Sequence, residues 1–194
     1  MREVDRIFNS MVGKCETAPY RYYDYLESDG RQFINDIGMY NTLDSEYEVV
    51  FDTNESGWLF GNAETNGNPA SCGIYCNSSG VIRFAQAYAT GLNLVGRHRV
   101  IINKDGFTID DTQYQYAKVV TSVSRATLML FFASGSTIRF KGKMEYFIHR
   151  QSGVVVQDFR PAVRNADGVS GMHDVLNDVF KPSSTNVNFL YGNF

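Results

Sequence analysis

The sequence predicts an all-β protein, two antiparallel sheets packed as a sandwich, with one short helix ahead of them. Three observations carry this expectation. Polar and apolar residues alternate with the period of two that a half-buried strand requires: over residues 46–52, Tyr47, Val49 and Phe51 fall on one face and Glu46, Glu48 and Asp52 on the other. Such segments recur along the chain with turn residues between them, the pattern of a sandwich or jelly roll. The chain also holds 14 Phe, 12 Tyr and one Trp against 20% charged residues and four prolines, a composition that favours a packed sheet over a disordered chain. At 194 residues one domain suffices. A chain of this size buries roughly 70% of its unfolded surface, enough for a core without metal or disulfide staples.

The helical exception comes first. Val4, Ile7, Phe8, Met11 and Val12 recur at helical spacing, charges at Arg2, Glu3, Asp5 and Arg6 fall on the other side, and Gly13-Lys14 supplies a stop. So short a helix is marginal alone. Residues 1–19 therefore read as an amphipathic segment that either docks on its own domain or anchors the chain to a larger assembly through Val4, Ile7, Phe8 and Met11. After Pro19 the period becomes two. Residues 21–27 are the first strand candidate, turned by Ser28-Asp29-Gly30 and continued at 32–34. Residues 46–52 and 57–61 follow, then a polar loop at 62–69, then a hairpin of 71–77 with 81–88 about Ser78-Ser79-Gly80. The clearest hairpin pairs 97–104 with 107–110, because Lys104-Asp105-Gly106 ends in a residue that takes positive φ without strain. Segments 113–120, 125–132, 138–150 and 154–160 continue the pattern, and the domain runs over residues 20–181. Residues 182–194 form a tail ending in Phe189, Leu190, Tyr191 and Phe194, which either closes an edge of its own domain or pairs with a neighbour.

Charge and cysteine usage narrow the function classes. The net charge is −3 and no long Lys/Arg run occurs, so nucleic acid is not the expected partner, since phosphate neutralisation needs clustered positive charge. The basic stretches at 97–99 and 139–143 alternate as strand faces do. No stretch is long and apolar enough for a membrane span, and residues 1–14 lack the continuous apolar run of a signal peptide. Of three cysteines, Cys72 and Cys76 share one face of a strand about 13 Å apart, beyond disulfide reach. The odd count and the absence of a His/Cys cluster point to buried free thiols, Cys15 included, rather than a disulfide framework or a zinc site.

Several segments together resemble a known family. Residues 25–35, Tyr-Leu-Glu-Ser-Asp-Gly-Arg-Gln-Phe-Ile-Asn, are similar to the Y-I-E-S-T-G-T-Q-Y-I-D opening of concanavalin A-like (laminin G-like) jelly-roll domains, found in proteins of gut bacteria and their phages. Lys104-Asp105-Gly106 resembles that family's K-N-G turn. Residues 141–148, 156–161, 168–174 and 177–180 resemble its K-I-Y-x-F-x-I, V-R-D-F-x-P, G-V-x-G-L-Y-D and N-x-x-F-Y motifs in the same order. The likeness spans roughly residues 20–181. Asn35 stands where the family has Asp, and His173 where it has Tyr. The resemblance implies two curved antiparallel sheets face to face, a fold that carries lectins, glycanases and structural modules alike.

Catalysis is the least supported of these. Laminarinase-type enzymes on this fold carry Glu-x-Asp-x-x-Glu on one strand. Here the segment reads Glu46-Tyr47-Glu48-Val49-Val50-Phe51, with the third acid replaced by Phe51, so the paired carboxylates of a retaining glycosidase are not assembled. His98, His149 and His173 lie outside any nucleophile-elbow context, and Asp110-Asp111 reads as a turn rather than a calcium loop. No cofactor and no metal are expected. Sugar sites commonly offer an exposed aromatic platform. Trp58 is the first candidate, with Tyr114 and Tyr116 next; the competing reading of each is a core aromatic. The expectation is a non-enzymatic virion protein of a bacteriophage, located on the particle and assembled in the host cytoplasm. It would be a capsid decoration, head-fibre or tail-fibre component, homo-oligomeric, in contact with other virion proteins and host surface glycans. A lectin-like carbohydrate-binding module of a bacterial protein is the alternative, and a glycan-degrading enzyme the weakest reading.

Overall fold

The computed structural model describes residues 18–38, 40–62, 72–123, 127–133 and 137–194. The amphipathic segment with Val4, Ile7, Phe8 and Met11, and Cys15 after it, lies outside them. The described residues are all-β, without a helix, in two antiparallel sheets. In chain order the strands are β1 (Tyr20–Tyr22), β2 (Tyr25–Asp29), β3 (Ser45–Thr53), β4 (Gly57–Gly61), β5 (Cys72–Cys76), β6 (Gly80–Phe84), β7 (Ala87–Leu92), β8 (Gly96–Asn103), β9 (Gly106–Ile109), β10 (Thr112–Tyr114), β11 (Met129–Leu130), β12 (Lys141–Gln151), β13 (Val154–Arg164), β14 (Ser170–Asp174), β15 (Val179–Pro182) and β16 (Leu190–Gly192).

The larger sheet is ordered β10-β9-β8-β3-β12-β13-β14-β15. On one side β12 pairs with β3 along its length, from Lys143 opposite Asp52 to Gln151 opposite Ser45. Its other side is shared: Lys141 to Met144 pair with β2, and Phe147 to Gln151 with β13. Strand β1 pairs with the far part of β13. Between β1 and β2 the chain changes partners, Tyr23 donating its amide to the Pro161 carbonyl and Asp24 to that of Gly192. The smaller sheet is ordered β11-β4-β5-β6-β7.

Alternation decides which side chains meet between the layers. Tyr47, Val49 and Phe51 of β3, Met144 and Phe147 of β12 and Phe159 of β13 face Phe60 of β4, Ile74 of β5 and Ile82 and Phe84 of β6, all fully buried. The aromatic rings interlock: Tyr47 lies 5.6 Å from Phe60 and 5.8 Å from Phe147, and Phe60 meets Phe147 edge-on at 5.1 Å. Edge-on and offset contacts of this kind add to the area they bury. The hairpin of β8 and β9 closes through Lys104 and Asp105, with Asn103 opposite Gly106; contrary to the sequence expectation Gly106 is not at positive φ, and a glycine is needed there because a Cβ would collide with the Tyr114 carbonyl. Asp110 and Asp111 close β9–β10, both at positive φ, 47° and 70°, which is the two-residue turn whose twist matches paired strands.

Several segments depart from their sequence pattern, 32–34 among them, where Ile34 makes only an isolated bridge, to Leu130. The run 81–88 breaks at Ala85 (φ 54°) and Gln86, where β6 turns into β7. Of the expected 113–120 strand only Gln113 and Tyr114 pair, within β10. Beyond it Tyr116 and Val120 pack against the core from a loop, so tertiary burial replaces strand pairing there. Of the expected 125–132 strand, only Met129–Leu130 is strand among the described residues 127–132.

The tail resolves in favour of its own domain. Strand β16 adds to the edge of β2, Leu190 opposite Glu27 and Gly192 opposite Tyr25. Phe189 is 2% exposed, its ring 4.6 Å from that of Phe131, and its carbonyl accepts the Ser170 hydroxyl. Gln32 is buried beneath the tail and donates its amide to the Asn188 carbonyl. Truncating a buried Phe to Ala costs about 3–5 kcal/mol. Phe189→Ala is expected to lose stability of that order in urea unfolding; an unchanged midpoint would show the tail to be dispensable to the core.

Candidate functional site

The two sheets present chemically opposite outer faces. On the larger sheet, charged side chains alternate across the strands. Glu48, on β3, is buried rather than solvated, and three donors hold it: Arg99 of β8 (2.9 Å), Tyr146 of β12 (2.8 Å) and Arg150 of β12 (2.8 Å). Burial raises the Glu48 pKa, but the hydrogen bonds from Arg150, Tyr146 and Arg99 outweigh it and leave the carboxyl below its usual range. Glu46 extends the network to Arg150 (3.3 Å) and Asn103 (3.1 Å), and Arg97 pairs with Glu145. A glycosidase acid must hold its proton near neutral pH, which needs a raised pKa. Glu48 is shifted the other way, and its oxygens are occupied. A cleft at the end of this sheet carries Glu27, Asp29, Asp52 and Glu55, but Lys141 and Lys143 lie among them and Lys141 binds Glu55 at 2.8 Å. Among the described residues no three His, Cys, Asp or Glu side chains gather as a metal ion would need.

The histidines are built into the fold. His98 bonds Asp110 (2.7 Å) and the Val95 carbonyl (3.0 Å). His173 is buried between Tyr22 (2.7 Å), Asp178 (3.0 Å) and the ring of Tyr20, which stacks on it at 4.0 Å. His149 is fully buried, stacked on Tyr47 at 4.7 Å, with Nε2 bonded to the Ser45 hydroxyl. Burial holds its imidazole down to about 4, opposed by the amide of its register partner Gln157.

The smaller sheet differs. Its strands β4 to β7 read Gly-Trp-Leu-Phe-Gly, Cys-Gly-Ile-Tyr-Cys, Gly-Val-Ile-Arg-Phe and Ala-Tyr-Ala-Thr-Gly-Leu, with Arg83 their one charge. Cys72, Ile74, Cys76, Ile82 and Phe84 point inward and are buried. The alternate positions point out. Trp58 is half-buried and lies directly opposite Tyr75, ring centroids 5.4 Å apart. Tyr75 faces Val81, and Arg83 faces Tyr88, its guanidinium 5.8 Å from that ring. Tyr88 is 51% exposed. A bulge between Trp58 and Phe60 lets Trp58 face outward while Leu59 and Phe60 stay in the core.

Of the aromatics expected to bind sugar, Trp58 therefore stands on an aromatic face. Tyr114 and Tyr116 do not join it. Tyr114 is on β10, at the edge of the other sheet, stacked on Phe107 at 5.1 Å. Tyr116 packs against the core, also onto Phe107, and burial raises its pKa. Tyr75, Arg83 and Tyr88 escaped the sequence reading because their neighbourhood is set by cross-strand register. The one available signal was the lack of charge in four successive segments. No family model matches the chain, and no curated protein matches it.

Two outcomes test these assignments. His149 is neutral when folded down to about pH 4, whereas in the unfolded chain it gains its proton near pH 6.5. Between those values the unfolded state holds more protons, so stability falls as pH falls, by about 3 kcal/mol over the window. His149→Gln is expected to lose stability at pH 7 yet to show a correspondingly flatter decline from pH 6.5 to 4 in denaturant titrations; parallel declines would contradict it. Glu48→Gln leaves Arg99 and Arg150 without their shared anion, and a loss of about 2 kcal/mol is expected at pH 7.

Proposed function

We propose that the chain is a non-enzymatic structural module of a bacteriophage particle, a capsid decoration, head-fibre or tail-fibre component. It displays a concanavalin A-like jelly roll whose outer aromatic face contacts host surface glycans. The observation that carries this reading is the face of the smaller sheet, where Trp58 and Tyr75 sit side by side, with Arg83 and Tyr88 on the neighbouring strands. Aromatic rings offer apolar surface to the C–H faces of sugar rings, while a few polar groups fix orientation. Further support comes from the ordered motifs of residues 20–181 and from a tail spent on closing its own edge, which leaves a self-contained domain for display. The locked state of Glu48 favours binding over hydrolysis.

Two measurements test the reading. Mass spectrometry of purified phage particles is expected to find the chain in fixed ratio to the capsid protein. The chain on a bacterial surface instead would make it a lectin-like module of its cell. On a glycan array the intact chain is expected to bind, and Trp58→Ala to weaken binding at least tenfold. Release of sugars from a bound polysaccharide would overturn the non-enzymatic assignment.

A further inference from the structure

We infer that an apolar hollow at one end of the larger sheet receives the amphipathic segment of a second copy of this chain, with Val4, Ile7, Phe8 and Met11 entering it, so that copies join head to tail. The hollow, of about 570 Å³, is lined by the buried Ile37 and Gln157 and by Val155, Leu176 and Val179. The last three are exposed, as are their chain neighbours Val154 (65%) and Val175 (42%). Together they are five of the nine large aliphatic side chains that the described residues leave exposed. Apolar surface gathered in one place, rather than scattered singly, marks an interaction site.

The hollow is built before anything enters it. The Asp174 carboxylate accepts from the amides of Leu176 and Asn177, the Asn177 side chain donates to the Val156 carbonyl, and Gln157 donates to that of Ile37. Walls already fixed cost little further ordering on binding. Their aliphatic surface carries no aromatic ring, which suits an apolar peptide face rather than a sugar. A helix lying in a groove presents anchors at positions i, i+3, i+4 and i+7. Val4, Ile7, Phe8 and Met11 supply that spacing, with Arg2, Glu3, Asp5 and Arg6 between them left for solvent.

Reach decides that the segment comes from a neighbour. The chain enters the described fold at the far end of β13, where Asn165 donates to the Ala18 and Pro19 carbonyls. Val154 and Val155 stand at the other end of that strand, and Val175 donates to the Asp158 carbonyl, which sets Leu176 near them. At about 3.3 Å per residue the hollow lies about 25–35 Å from Ala18. Residues 12 to 18 span about 20 Å when fully stretched. On its own molecule even a straightened spacer would leave Met11 short of the hollow, whereas a second copy can bring all four anchors. Donor and acceptor stand at opposite ends of one molecule, so the contact is heterologous: each copy gives one segment and takes one, and the series closes into a ring or runs on as a chain.

Light scattering on the full chain at micromolar concentration tests this. The expected mass is a multiple of the monomer's. Phe8→Glu and Leu176→Glu should each give monomers that keep the melting transition of the full chain; should Leu176→Glu not melt cooperatively, the milder Leu176→Ser takes its place. Mixing the two monomeric variants should then yield a dimer and nothing larger, because the first keeps its hollow and the second its segment. A monomeric full chain would overturn the inference. So would an oligomer that survives Phe8→Glu, which would mean hollow against hollow, or one that survives the Leu176 variant, which would mean segment against segment. A mixture that stays monomeric would overturn it as well. The contact makes no use of Trp58 or Tyr75, so its failure leaves the glycan reading intact, and a chain that binds no glycan leaves the contact standing.

Discussion

The pairing of β12 with β3 is the constraint from which the other layers take their positions. These two strands carry Met144, Phe147, Tyr47, Val49 and Phe51 on one side, and every one is buried. A slip of one residue would turn that whole set outward and bring Glu48 and Arg150 into the core, so the register is strongly specified. The second side of β12 is divided between β2 and β13. That division lets segments from both ends of the described chain join one sheet, and it explains why β1, β2 and β16 fall off the main path of the strand order.

The same alternation gives the protein two unlike exteriors. Behind the core face of β3 and β12 stands the acid–base mesh of Glu46, Glu48, Arg99 and Arg150. Its members satisfy one another, and little is left to seize a ligand. Behind the core face of β4 to β6 stand Trp58, Tyr75, Val81 and Arg83, backed by Ile74, Ile82 and Phe84. Rings supported in this way on a rigid sheet lose little freedom when a flat ligand covers them. The division of labour is physical: one face spends its polar groups on the fold, and the other holds apolar surface in reserve.

Much of the larger sheet was legible in the sequence because its strands alternate and its turns carry Gly or Asp. Residues 46–52, the Lys104-Asp105-Gly106 hairpin and the break at Ser152-Gly153 all read directly. The smaller sheet was harder. Cys72, Gly73 and Ile74 give a nearly unbroken apolar run, and Ala85 and Gln86 turn the chain without Gly, Pro or Asn. Asp174 illustrates another limit. Its carboxylate caps the amides of Leu176 and Asn177 and accepts from Asp158 on the adjacent strand, roles that need three-dimensional neighbours. The candidate site was half legible. Trp58 could be named as a lone indole beside a polar loop, but Tyr114, ranked next to it on the page, belongs to the edge strand β10 of the other sheet. Aromatic residues of core and surface share one composition, and only register tells them apart.

Cys72 and Cys76 flank Ile74 on the inner face of β5, almost without contact with solvent, and burial pushes both thiols far above their ordinary range. A thiolate, the reactive species, forms at these positions only when the layers part. Their sulfur atoms are thus chemically silent reporters of the interior: the rate at which a small alkylating reagent finds them counts how often the sandwich opens, separately from fraying at its edges.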